Sequence, residues 1–533
     1  MLRVGCAWGG RCVLLLWAAV LLAGWKTGVA QTSTAGPSSP TTGDGANTVQ
    51  RRMSKAQAKE LFRSVDEILR FVSEDTQLPI VHGVKRKLIS RDEVNRYLRK
   101  KFDEDEGARK MERSEIVLKK FGLLDRDFHL RPFLLSLLTE QIAGFYDNKT
   151  KTVNLLDWIQ PEEQKPVLAH ELTHALQDQR VGLTQWSNVS MSGIARTVTE
   201  DNHYVQTDEA DTARTAVAEG QAMAVFLDYS LRGTGHTLAD APGLADRLKD
   251  TVSDTAGSPV LARAPLLLQE SLLFPYSAGL SFEQAVLVKE GRETAFAGVL
   301  VNPPSSSFEI MTPAAYLSHA LVPVLRFPDI HPLLDADYTP YDLGVMGELD
   351  VRILTELYGG REMAEALAPA WNGGIYYAAQ KKSAVTEAER EATSSLALLY
   401  SSRWKNPDSA RSFVRVYAAQ LPRKYSHVVR RMKDEVNVGE QVYSTSEGDV
   451  LLSISGTGVL VSEGFPVALA RKLRDSIWSM QSDEPVKIAV SGDTELSLGV
   501  ARALSSFGMI RAKSVQRYTL KESATQLVAQ PAE

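Results

Sequence analysis

The chain is poor in cysteine: among 533 residues only Cys6 and Cys12 carry a thiol, and both lie inside an N-terminal stretch with the composition of an export signal. Beyond that stretch the chain has no disulfide framework and no thiolate ligands, which excludes cysteine-nucleophile hydrolases and cysteine-rich zinc modules. A strong charge bias is also missing. Sixty basic against 65 acidic side chains leave a net charge of −5, too weak a field for a general nucleic-acid binder. Past residue 25 no segment approaches twenty uninterrupted apolar residues, so no membrane span is expected after the first thirty.

The N-terminal stretch is basic at Arg3 and Arg11, apolar over 13–24 and small at Gly28-Val29-Ala30. The pattern predicts a signal peptide at 1–30 and an exported protein, periplasmic or extracellular, with an uncleaved N-terminal anchor as the alternative. Residues 31–50 are Ser, Thr, Gly and Pro with almost nothing to bury, which predicts a disordered linker. From 51 to 135 the sequence is highly charged and helical in period, with Leu61, Val65, Ile68, Leu69 and Val72 on one face.

The informative stretch is His170-Glu171-Leu172-Thr173-His174 within 166–177. Histidines four residues apart project from one helix face one turn apart, a spacing at which two imidazoles grip one metal ion, and the adjacent glutamate is placed to take a proton from a metal-activated water. The helix itself is supported by Val167, Leu168, Leu172, Ala175 and Leu176 at helical spacing. Pro161 or Pro166 is expected to open it, with a start or kink at Pro166. Just upstream, two apolar-aromatic stretches flank Asp147-Asn148-Lys149 and predict a hairpin. Its second strand, 152–156, is expected to form the edge along which a substrate backbone pairs.

A third ligand is sought downstream. A helix is expected from 208 to 229, N-capped by Thr207, and Glu219-Gly220 falls in its apolar middle. A carboxylate among alanines and valines is costly unless paired or metal-bound, which nominates Glu219. Asp208, Glu209 and Asp211 are rivals, although a solvated first helical turn explains acidic residues there by capping. Gly220 is expected to let the helix of Glu219 approach the motif helix closely.

At these residues the chain resembles the zincin metallopeptidases with a glutamate ligand, the gluzincins. It more closely resembles a bacterial group of secreted neutral zinc metallopeptidases with a His-Glu-Leu-Thr-His-Ala-Leu-Gln-Asp-Gln helix, here His170 to Gln179, followed by Glu-Gly-x-Ala, here Glu219 to Ala222. Looser likeness runs through Pro275-Tyr276-Ser277-Ala278-Gly279, 302–307 and 343–348, so that the resemblance covers about 136–425. It implies that His170, His174 and Glu219 hold one Zn²⁺ per chain, that Glu171 is the general base, and that peptides or proteins are the substrate. Met223 departs from the family pattern, which often has an aspartate one turn after the glutamate to orient a histidine. Asp178 is the substitute considered for that role, toward a histidine of its own helix or of a neighbour. Oxyanion stabilisation falls to His203, Tyr204, Tyr146 or Arg352, which the sequence does not rank.

Residues 231–258 read as a loop over the cleft, and 260–300 as helices with Tyr276 and Gly279 between them. A helix-rich region is expected from Gly344 through the aromatic cluster at 371–377. Texture changes near 436, where alternation predicts two or three strands in 441–465, a helix at 466–480, a strand at 486–490 and a helix at 496–507. The fold expected is α+β: a mainly helical zincin-like domain at 136–430 with a small edge-strand sheet, and a separate small α+β unit at 436–520. The function expected is a secreted zinc-dependent peptidase. The alternatives are an envelope protein whose metal site is structural, closed by a fourth ligand such as His203 or an acidic residue of 208–211, and a zinc amidohydrolase acting on cell-wall linkages.

Overall fold

The computed structural model describes residues 52–104, 115–186, 197–252 and 258–481. The segments read as an export signal and a linker, and the strand and helix expected at 486–490 and 496–507, lie outside them. Among the described residues no helix is long and apolar enough to cross a membrane.

The fold is α+β, with one three-stranded and one seven-stranded sheet. Helix α1 (Lys55–Thr76) starts at a Ser54–Gln57 capping box and buries Leu61, Val65, Ile68, Leu69 and Val72, the stripe its sequence shows. That stripe packs on the motif helix, α2 (Pro161–Val181). Pro161 takes the first-turn position of α2, where its missing N–H costs nothing. Pro166 lies inside, and the helix runs through it. At the other end Gly182, with φ 64°, caps the helix through its N–H to the Asp178 carbonyl.

The hairpin forms as expected from β2 (Phe145–Asp147) and β3 (Thr152–Leu156). A further strand, β1 (Lys85–Ile89), pairs in parallel along the other side of β3, from Lys85↔Thr152 to Ile89↔Leu156. This corrects the expected edge: β3 is the centre of the order β1-β3-β2 and both its ladders are taken, so it has no free side to offer a substrate. Gln164 of α2 ties the layers together, accepting from Leu156 N and donating to Leu156 O, both at 2.9 Å.

The helix expected from Asp208 is present two residues later, and a separate helix precedes it, so that Thr207 ends one helix rather than capping the next. Helix α3 (Val198–Thr207) is capped by Thr197, and α4 (Ala210–Leu231) comes directly after it. Residues 260–300 are dominated by α5 (Leu266–Glu293), and Tyr276 and Gly279 lie inside that helix rather than between two. The region over 231–258 contains a helix at Leu244–Val252.

The largest departure is the seven-stranded sheet, ordered β4-β5-β6-β10-β9-β8-β7. Its strands β4 (Tyr338–Val345), β5 (Trp371–Lys381) and β6 (Leu396–Trp404) come from the region read as helical. The others, β7 (Val428–Arg430), β8 (Glu440–Thr445), β9 (Gly448–Ser455) and β10 (Gly458–Glu463), lie at or beyond the boundary placed near 430. Strands β6 and β10 pair antiparallel from Arg403↔Gly458 to Leu398↔Glu463, so one sheet spans that boundary. Both faces of β5 and β6 are covered, so their burial is almost unbroken and shows no inside–outside alternation. The expected C-terminal helix is present at Val467–Met480.

Candidate metal centre

Helices α2 and α4 pack against each other and bring His170, His174 and Glu219 together. The imidazole Nε2 atoms are 3.0 Å apart, and Glu219 Oε2 lies 3.2 Å from that of His170 and 3.5 Å from that of His174. A tetrahedral ion with bonds of about 2.0–2.1 Å separates its ligands by about 3.3 Å, so these three atoms outline one face of such a polyhedron. Two imidazoles and one carboxylate with ligand atoms this close together can hold a metal ion. Among the described residues the group has three members and no fourth His, Cys, Asp or Glu joins it.

The electrostatics fit a cation. Burial opposes the charge of Glu219, yet the positive charge of His174 and the contacts of both rings hold its carboxyl down at about 2. Burial lowers His170 to about 4. For His174 burial is overcome by Glu219, with smaller help from Glu171 and Gln177, and the ring is pushed up to about 9. Burial thus favours a neutral His170, while the Glu219 carboxylate favours positive charge on His174.

Glu171, next to His170 in the motif, is buried close enough to feel the charges of His174 and Glu219. Its Oε2 accepts from Tyr146 N of β2 at 2.7 Å, while Oε1 is buried and takes no hydrogen bond from the protein. Burial, helped by Glu219 and opposed by His174 and the Tyr146 N–H, pushes its carboxyl up to about 8.

The residue that orients His174 is Gln177, which had no assigned role in the sequence motif. Its Oε1 lies 2.9 Å from His174 Nδ1, and its Nε2 donates to Ala218 O at 3.0 Å and to Gln221 Oε1 at 2.9 Å. Gln221 Nε2 in turn donates to the carbonyls of Ala295 and Phe296, in the π-helical turn Thr294–Gly298. Carbonyls only accept, so three of them fix both amides: the Gln177 oxygen must face His174. Nδ1 then carries the hydrogen and Nε2 keeps its lone pair for a metal. The available signal was its spacing, three residues beyond His174 and so on the same helix face.

Asp178 plays another part than the one considered. It accepts from the Tyr146 hydroxyl at 2.8 Å, from Leu183 N at 3.1 Å and from the Lys151 ammonium, and reaches no histidine. This also commits Tyr146, whose side chain is held away from the metal group while its backbone holds Glu171. Of the other oxyanion candidates, Tyr204 donates to Asp208 at 2.8 Å, Arg352 is paired with Glu270 and Glu356, and His203 is exposed. Tyr276 was not among them, yet its ring stacks 6.4 Å from that of His170, and its buried hydroxyl lies against the Glu219 carboxylate.

The rival ligands are engaged elsewhere, and they are buried rather than solvated as expected. Asp208 accepts from Val345 N at 2.9 Å, Glu209 from the Ser307 hydroxyl at 2.6 Å, and Asp211 lies beside Arg214. Gly220 does allow a close approach, but of α5: a Cβ there would stand 2.3 Å from Gly279 O, and one at Gly279 would stand 2.2 Å from Ala216 O. The helix carrying Tyr276 is thereby seated against that carrying Glu219. No family model, curated protein or solved structure matches this chain, so the functional argument rests on the geometry of the centre.

Proposed function

We propose that the protein is an exported zinc-dependent peptidase of zincin-like architecture, with His170, His174 and Glu219 as the metal ligands. The observation that carries this reading is the triangle of 3.0, 3.2 and 3.5 Å edges beside a glutamate with one buried, unbonded carboxylate oxygen. Zinc, when bound by three protein ligands, supplies a Lewis acid for a carbonyl and acidifies water. Glu171 takes the proton on Oε1, since Oε2 is engaged by Tyr146 N, and passes it to the departing amine. Gln177 holds His174 in the ligating tautomer, and Tyr276 packs against both His170 and Glu219.

The reading demands an opening motion, because the side chains of His170, His174 and Glu219 are 0–4% exposed. That same burial favours the second reading, a structural metal in an envelope protein. The three ligands found among the described residues argue the other way, since a structural zinc site is closed by four. Metal analysis combined with digestion of a mixed peptide library tests both. The peptidase reading expects one zinc per chain in wild type and in Glu171→Gln, no zinc in Glu219→Ala, and cleavage in wild type alone. One zinc in an inert wild type would overturn it in favour of the structural role.

A further inference from the structure

A second histidine–carboxylate pair occurs where α3 meets the 321–331 segment and β5. Asn202 docks α3 onto that segment, accepting from Phe327 N at 2.9 Å and donating to Phe327 O at 2.8 Å. The neighbouring Asp201 is thereby turned inward, where it is 1% exposed and neither carboxylate oxygen takes a hydrogen bond. His331 faces it, with Nε2 3.4 Å from Asp201 Oδ2. On the far side of the ring Nδ1 lies 3.1 Å from Asp329 Oδ1, which also accepts the His331 backbone N–H at 3.2 Å. Tyr377 of β5 closes the group from below: its ring meets that of His331 edge-on at 6.4 Å, and its buried hydroxyl has no hydrogen-bond partner.

We propose that Asp201 and His331 form a second metal site, specific for a divalent cation that accepts imidazole and carboxylate, such as Zn²⁺ or Cu²⁺. Asp329 fixes the ring so that Nδ1–H is donated outward and the Nε2 lone pair faces Asp201, the carboxylate–histidine arrangement that orients metal ligands. The 3.4 Å separation is wider than the about 2.7–2.9 Å of an imidazolium hydrogen-bonded to a carboxylate and falls within the 3.2–3.5 Å range of the α2–α4 centre, a spacing that accommodates an ion between the two groups. The surroundings are cation-seeking: Glu200 and Asp329 act on Asp201, and Asp335 on Tyr377. With two protein ligands and a His331 side chain 12% exposed, water completes the coordination and the ion exchanges. Binding is therefore weaker here than at the three-ligand centre, and it is independent of whether the protein is a peptidase.

The test is titration of the chelator-stripped full chain with Zn²⁺, and with Cu²⁺ combined with electron paramagnetic resonance. Wild type should bind two equivalents of Zn²⁺, one tight and one weak. Glu219→Ala should lose the tight one and keep the weak one, whose Cu²⁺ spectrum shows coupling to a single imidazole nitrogen. His331→Ala in that background should abolish the weak site, and Asp329→Asn, which keeps both ligands, should weaken it about 10–100-fold. Should His331→Ala fail to fold, Asp329→Asn and the single-nitrogen spectrum decide. The proposal is overturned if Glu219→Ala binds no metal, or if its bound metal is indifferent to Asp329→Asn.

Discussion

Replacing Gln177 by Met separates orientation of a ligand from support of the fold. Methionine nearly conserves volume and removes three hydrogen bonds at once, those to His174 Nδ1, Ala218 O and Gln221 Oε1. His174 Nδ1–H and Gln221 Oε1 are then buried without partners, at about 1–3 kcal/mol each, so the metal-free protein should lose about 2–6 kcal/mol of stability. Zinc affinity should fall as well. The ring is free to rotate and to hold its hydrogen on Nε2, and loss of such an orienting bond weakens a metal about 10–100-fold, or about 1.4–2.7 kcal/mol. The control is Gln221→Met, which leaves the contact to His174 in place while stripping Gln177 of one anchor. Thermal denaturation reads the first effect, and competition with a chromophoric chelator the second. Equal affinity losses in both variants, or a Gln177→Met affinity within twofold of wild type, would refute the tautomer argument and leave Gln177 a packing residue.

The same geometry sets three other expectations. Gly220→Ala would place a methyl 2.3 Å from the Gly279 carbonyl, so it should cost about 1–3 kcal/mol by denaturant unfolding and displace Glu219, lowering zinc occupancy. Zinc binding should release a proton at neutral pH because His174 holds one up to about 9; affinity should rise with pH toward that value, and calorimetry in buffers of different ionisation enthalpy should show the transfer. Asp75 of α1 and Asp228 of α4 share Arg292, at 2.6 and 3.1 Å, and burial with the neighbouring Asp228 charge pushes Asp75 up from 3.8 to about 8. Between those values the folded state binds more protons than the unfolded one, so this group makes stability fall as pH rises through the window; Asp75→Asn should flatten the decline seen in melting temperatures between pH 5 and 8.

The sequence made the metal centre legible because its parts obey local rules. Two histidines one turn apart and a carboxylate inside an alanine-rich helix are each anomalies of a short window, and they met in space. The hairpin was legible for the same reason. What stayed hidden depends on partners distant in the chain. The interior position of β3 is set by β1, more than sixty residues upstream, and nothing within 152–156 distinguishes a central strand from an edge. Strands β5 and β6 are buried on both faces and so lose the alternation by which a strand is recognised, which let 371–377 pass for part of a helical region. The burial of Asp208 and Glu209 depends on Val345 N and the Ser307 hydroxyl arriving from more than ninety residues away.

The small residues around Glu219 explain how the three side chains come together in a tightly packed interior. Ala216, Ala218, Gly220 and Ala222 give the α4 backbone room to sit against α2 on one side and α5 on the other, and the Ala218 carbonyl itself anchors Gln177. Held this closely, the Glu219 anion cannot retreat to water, and it is balanced by the positive charge it favours on His174. That arrangement is a poorer match than a dication shared by three ligands, and part of the binding energy is therefore relief of a charge the fold has already buried. Zinc should raise the melting temperature of wild type in proportion to the logarithm of its free concentration above the dissociation constant. In Glu219→Gln the buried charge is gone, the metal-free protein should melt higher than metal-free wild type, and the tight zinc-dependent increment should vanish. If metal-free Glu219→Gln melts lower, the carboxylate is supported by its neighbours rather than held for a metal.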